Sequence, residues 1–146
     1  MRYPDLEHKR VLITGASGGL GAAIARAFGG HHAKVLVHYR TRKAGAEQVC
    51  ADIQASGGEA VMMHADLRSE SALNRLADNA WDEWGGIDIL INNAGVVLKS
   101  AILDAEAAHW DDTMNVNLRA PYLLSRRLAE KMIETEQHGV ILHNSS

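Results

Sequence analysis

The sequence predicts an α/β fold, a doubly wound parallel sheet built from βαβ units. Short apolar runs alternate with longer segments of helical period, the arrangement that strands joined by crossover helices produce. The runs are apolar throughout and do not alternate with polar residues, as expected of strands covered on both faces. With 146 residues, 47% of them apolar, the chain suits one domain, residues 1–146, around one core.

The first run is Val11-Leu12-Ile13, followed by a helical segment in which Leu20, Ile24, Ala27 and Phe28 share a stripe. Val35-Leu36-Val37 is the second run and Ala60-Val61-Met62-Met63 the third. Leu73, Leu76, Ala77, Ala80, Trp81 and Trp84 form a longer stripe, whose tryptophans are read as packing residues. Ile87 to Ile91 is the fourth run, the segment from Trp110 to Ile133 the last helix, and Val140-Ile141-Leu142 the fifth run. Gly57-Gly58 and Gly85-Gly86 close helices where a left-handed residue is wanted. The order reads β-α-β-α-β-α-β-α-β, and the sheet is expected to be truncated after its fifth strand.

Thr14-Gly15-Ala16-Ser17-Gly18-Gly19-Leu20-Gly21 stands directly after the first strand and opens a helix of small residues. Glycine at 15 permits a tight turn, and glycines at 19 and 21 allow close approach of a pyrophosphate and of the helix to the sheet. The free N–H groups and positive end of the helix then face the phosphates. The placement between strand and helix makes this a dinucleotide-binding turn.

Other function classes are disfavoured. Fifteen Lys and Arg against eighteen Asp and Glu give a net charge of −3, so no basic field serves nucleic acid or anionic lipid. Cys50 is the single cysteine, His31-His32 has no third ligand near it in sequence, and no metal site is expected. The start lacks a signal-peptide pattern and no apolar run approaches the roughly 20 residues that span a bilayer. A cytoplasmic setting is expected.

The T-G-x-x-x-G-x-G spacing resembles that of the short-chain dehydrogenase/reductase family, and four further stretches extend the likeness over nearly the whole chain. Asp66-Leu67 after the third strand is similar to the pair that family members place beside the adenine. Asn92-Asn93-Ala94-Gly95 resembles the N-N-A-G element that supports the sheet and lies against the cofactor ribose. Trp110 to Leu118 resembles the segment carrying the catalytic asparagine, Asn117 here. Gly139 to Ser146 resembles the fifth strand, with the substrate-orienting serine at Ser146. The resemblance implies a Rossmann-like domain with Gly15, Ser17, Gly19, Leu20, Gly21, Tyr39, Arg40, Asp66, Leu67, Asn93, Ala94 and Gly95 at the cofactor.

Pro121 lies four residues after Asn117 and has no N–H, so in a regular helix the Asn117 carbonyl loses its partner. It is then free to hold the water that the family uses in proton transfer; a packing kink is the alternative. Members preferring NAD carry an Asp at the end of the second strand, where this chain has Tyr39 followed by Arg40, with Arg42 and Lys43 close by. NADP is therefore expected, with NAD possible and an exposed basic loop the alternative. Many NADP-preferring members place a basic residue in the glycine turn where this chain has Gly18, which leaves most of the discrimination to Arg40.

The family reduces carbonyls or oxidises secondary alcohols, its tyrosine delivering a proton under the influence of a lysine four residues on. Tyr39 to Lys43 fits that Y-x-x-x-K spacing but follows the second strand, at the adenosine end, and is rejected as the catalytic pair. The expectation is the front portion of an NADP-dependent oxidoreductase, similar to 3-oxoacyl-carrier-protein reductases and sugar or polyol dehydrogenases, and inactive as this chain alone. An inactive dinucleotide-binding module and an interaction protein with a vestigial turn are the alternatives. The family's use of the last helix in subunit contacts implies a homo-oligomer at full length.

Overall fold

The computed structural model describes residues 3–97 and 99–145. Five parallel strands, β1 (Arg10–Ile13), β2 (Lys34–Tyr39), β3 (Glu59–His64), β4 (Ile89–Asn92) and β5 (Val140–His143), form one sheet in the order β3-β2-β1-β4-β5. The helices α1 (Gly19–Gly30), α2 (Lys43–Ala55), α3 (Glu70–Trp84), α4 (Ala107–Met114) and α5 (Ala120–Glu134) connect them. The chain is thus a doubly wound α/β domain of Rossmann type. After β3 it crosses to the far side of β1 to lay down β4, so the order in which strands are added reverses between β1 and β4 while all stay parallel. A crevice opens there at the carboxyl ends of the strands.

Strand alternation divides the core into two layers. Val11, Ile13, Val35, Val37, Ile89 and Ile91 point to one face, covered by Ala22 and Ala25 of α1 and Val49 and Ile53 of α2. Leu12, Leu36 and Leu90 point to the other, covered by Leu73, Leu76 and Ala77 of α3 and Leu124 and Leu128 of α5. Burying one such leucine contributes about 1.5–3 kcal/mol. At the amino-terminal edge of the sheet Arg10 grips Asp88 through Nε and Nη2, each bond 2.8 Å. Burial works against the Asp88 carboxylate, but the Arg10 bonds outweigh it and hold its pKa below the ordinary range.

The α3 stripe is as expected, and Gly85 closes that helix in the left-handed region at φ +72°. The expected stripe of α1 holds in part: Ile24 and Phe28 pack against the core. Leu20 and Ala27 are exposed, and the face on the sheet is Gly21, Ala22, Ala25 and Gly29. Small residues let this helix lie close, so its contact face carries little apolar signal. The last helix is divided, because a π-turn at Asn115–Arg119 separates α4 from α5, with the Ala120 N–H bonded to the Asn115 carbonyl. The count of four from Asn117 to Pro121 assumed a regular helix, and here it starts inside the π-turn. Among the described residues no helix is long and apolar enough to cross a membrane.

Candidate cofactor site

The site begins with Thr14, 2% exposed, at the end of β1. Its hydroxyl accepts the backbone N–H groups of Asn93 and Ala94, both at 3.0 Å, and so ties the glycine turn to the segment after β4. Asn93 strengthens the tie by donating to the Thr14 and Gly15 carbonyls at 3.0 and 3.2 Å. Gly15 turns the chain at φ +64°, and a Cβ there would stand 2.9 Å from the Ala94 Cα. A Cβ on Gly21 would overlap the Gly15 carbonyl oxygen and the Asn93 amide, so any side chain at 21 would push α1 off the turn.

One residue behind the turn, His38, takes its first two amides. The Gly15 N–H donates to His38 Nδ1 at 3.0 Å and the Ala16 N–H to the His38 carbonyl at 2.9 Å. Among the described residues no acceptor engages the amides of Ser17 to Gly21. These five N–H groups stand at the amino end of α1, where an anion is favoured. Gly19, at φ +55°, has nothing within 4 Å of where a Cβ would lie.

A cavity of about 390 Å³ runs past this turn, lined by Gly15, Ser17, Gly18, Leu20 and Gly21. Arg40, Thr41, Arg42, Asp66 and Leu67 line its far end, and Asn93, Ala94, Gly95 and Val96 the near one. A second cavity of about 460 Å³ shares Leu20 and Asn93 to Val96, then continues past Asn117, Pro121, His143, Asn144 and Ser145. The two form a trough across the carboxyl ends of the strands. A narrow, elongated ligand with a central anionic group fits it: open amides lie in the middle and cations at one end.

Arg42, from the loop after β2, folds back until its guanidinium lies on Gly18, where a Cβ would overlap Nη1 and meet Cζ at 3.0 Å. Among the described residues no carboxylate pairs with Arg40 or Arg42. The basic group that the turn lacks at Gly18 is therefore supplied through space by Arg42. Asp66 accepts from the Arg68 guanidinium at 2.6 and 2.9 Å and from the Arg68 N–H at 3.1 Å. These bonds to Arg68 hold the Asp66 carboxyl down to about 2. Arg68 also reaches Asp112 of α4 at 3.4 Å, and the cap of α3 is Ser69, not Asp66.

Tyr39 departs from expectation. It does not line the cavity; its ring stands edge-on to His64, centroids 5.5 Å apart, and packs on the α1–α2 layer. Alternation along β2 puts Tyr39 on the face of Val35 and Val37, and His38, on the face of Leu36, lines the cavity instead. That alternation was the one sequence signal for His38. Gly19 also lies outside the lining, its part being the turn itself. Asn117 does reach the site: its Oδ1 accepts the Val96 N–H and its Nδ2 donates to the Val96 carbonyl, both at 2.8 Å. Its side chain is spent on holding the segment after β4. Ser146 lies outside the described residues.

With fold and site in view, comparison with known proteins is direct. Residues 9–146 match the family described as short chain dehydrogenase. The chain is 35% identical over 144 residues to 3beta-hydroxysteroid dehydrogenase 1 of Eggerthella lenta, covering 99% of this chain and 55% of that protein. A metagenomic short-chain oxidoreductase solved with NADP superposes at a TM-score of 0.89 with 38% identity, over 97% of this chain and 63% of that one. A short chain dehydrogenase from Burkholderia cenocepacia, also solved with NADP, gives 0.88 with 34% identity over 97% and 56%. The chain belongs to the short-chain dehydrogenase family and spans little more than half the length of these relatives.

Proposed function

We propose that this chain binds NADP along the trough and forms the cofactor-binding portion of an oxidoreductase acting on a small carbonyl or secondary alcohol. The observation that carries the reading is the pairing of five open amides at Ser17 to Gly21 with Arg40 and Arg42 at one end of the same cavity, where Asp66 is engaged by Arg68. Arg40 and Arg42 hold the 2′-phosphate, Ser17 to Gly21 the pyrophosphate, and Asp66 and Leu67 flank the adenine. Asn93, Ala94 and Gly95 form the wall toward the nicotinamide end. Two of the solved relatives hold NADP, which agrees with this assignment. When bound, NADPH supplies a hydride to a carbonyl carbon, whose oxygen takes a proton to become the alcohol.

Asn117 positions the Val96 segment beside the reacting end, and Ser146 orients substrate next to Ser145. The exposed Trp110, Leu118 and Tyr122 offer a face for self-association of the whole protein. A cytoplasmic setting accords with a buried, unpaired Cys50.

The test is calorimetric titration with NADP and NAD. NADP is expected to bind more tightly, and R40A and R42A each to weaken it about tenfold or more while leaving NAD unchanged. Equal affinity for the two dinucleotides, or variants without effect, overturns the assignment. A second reading, binding without turnover by this chain, draws support from Tyr39, whose ring rests on His64 outside the cavity. Turnover of any carbonyl by the chain would remove it.

A further inference from the structure

His38 is 2% exposed and holds the glycine turn from behind. Its Nδ1 accepts the Gly15 N–H at 3.0 Å, its carbonyl accepts the Ala16 N–H at 2.9 Å, and its Nε2 meets the Ala65 carbonyl at 3.0 Å. An acceptor at Nδ1 must be bare, and a partner of a carbonyl must carry a proton. Only the neutral ring protonated at Nε2 satisfies both. The single residue thus spans the end of β1 and the start of the segment after β3, the two sides of the trough that meet at its cation-lined end.

The partition of the turn's amides follows from this. Two N–H groups, Gly15 and Ala16, are drawn backward onto His38, and the next five are left facing the trough. Without an acceptor at Nδ1 the half-buried Gly15 N–H would lose its protein partner, and the turn would rotate to recover a bond. Any rotation at Gly15 moves the amides that follow it.

Resting on the dinucleotide reading above, we infer that His38, held as its Nε2–H tautomer, is a positioning residue that fixes which amides of the glycine turn face the ligand. Affinity for the dinucleotide then depends on an acceptor at the Nδ1 position rather than on an imidazole as such. Burial supports a permanently neutral ring, since it pushes the His38 pKa down to about 4.

The experiment compares three substitutions by NADP titration and thermal unfolding. H38N keeps an acceptor where Nδ1 stands but does not reach Ala65. H38Q extends an amide toward Ala65 but removes that acceptor, and H38L has neither. H38N should bind NADP within about threefold of the parent, while H38Q and H38L bind about ten- to a hundredfold more weakly. If His38 served stability alone, binding would follow the unfolding temperature and H38N would rank with the others. Should the variants fail to fold, nitrogen NMR of the imidazole in the parent chain decides: a protonated Nδ1, or an Nδ1 resonance unmoved by NADP, overturns the inference. Failure of the parent to bind either dinucleotide removes the function reading itself; parent binding with H38N as weak as H38Q removes only the role of His38.

Discussion

Val35, Leu36, Val37 and His38 of β2 are all buried, whereas β5 in the same parallel sheet leaves Val140 52% and Leu142 48% exposed. The flanking helices differ likewise: α3 buries Leu73, Leu76, Ala77, Ala80 and Trp81, and α4 buries none of its residues. The β1–β2–β3 half, with α1 to α3, covers β1 and β2 on both faces, leaves the edge strand β3 half-buried, and carries the amides, the cations and His38. The β5 side contributes apolar residues that this chain does not cover. The open amides and the cations therefore sit beside strands that are covered on both faces, away from the exposed β5 edge.

The sharpest way to break that comparison is to delete equal side chains from the two halves. L12A removes a fully buried leucine between β2 and β4 and should cost about 2–5 kcal/mol in urea unfolding. L142A, half exposed on β5, should cost less than about 1 kcal/mol. Similar costs would mean that the β5 side is as well packed as the rest. Acid unfolding gives the next largest effect. His38 has a folded pKa of about 4 against an ordinary 6.5, so the unfolded chain binds the extra proton between these values. Stability from its neutral form is complete above pH 6.5 and is lost as pH falls toward 4, by roughly 3 kcal/mol in all. H38N should flatten the stability profile across that window, and an unchanged slope would show that the ring titrates elsewhere. Asp66, held near 2 by Arg68, adds its own loss as pH falls from the ordinary carboxylate range toward 2.

The regions also differ in how far they could be read from the sequence. Strands buried on both faces are apolar at every position, and α3 has a wide stripe of large residues, so both were legible. The contact face of α1 was not, because Gly21, Ala22, Ala25 and Gly29 act by being small. The glycine turn and Asn93 were legible as a local pattern after a strand. Arg42 over Gly18 was not, since the contact depends on how the loop after β2 folds back. Tyr39 was placed by its position at the end of β2, where the family's NAD-preferring members carry an Asp, but alternation along β2 turns it to the other face and gives the site His38. Likewise, nothing in the spacing of Asn117 shows that its amide closes on Val96, or that the helix around it takes a π-turn before Pro121.

The smallest effects test whether local helix signals matter equally on both sides. At the start of α3 the Ser69 hydroxyl accepts the Ala72 N–H at 3.3 Å, whereas Glu106 at the start of α4 makes no side-chain cap bond. S69A should cost about 1 kcal/mol, and S69D should restore most of it by accepting the same N–H and opposing the helix dipole. E106S would give α4 the missing cap, yet α4 buries no side chain, and most helical stability in proteins comes from a packed face. A cap there can tighten the helix without being coupled to global unfolding. The expected gain in unfolding free energy is within about 0.5 kcal/mol, while amide exchange at Trp110 and Asp111 slows. A global gain as large as the loss from S69A would show that α4 folds together with the core despite its exposed surface.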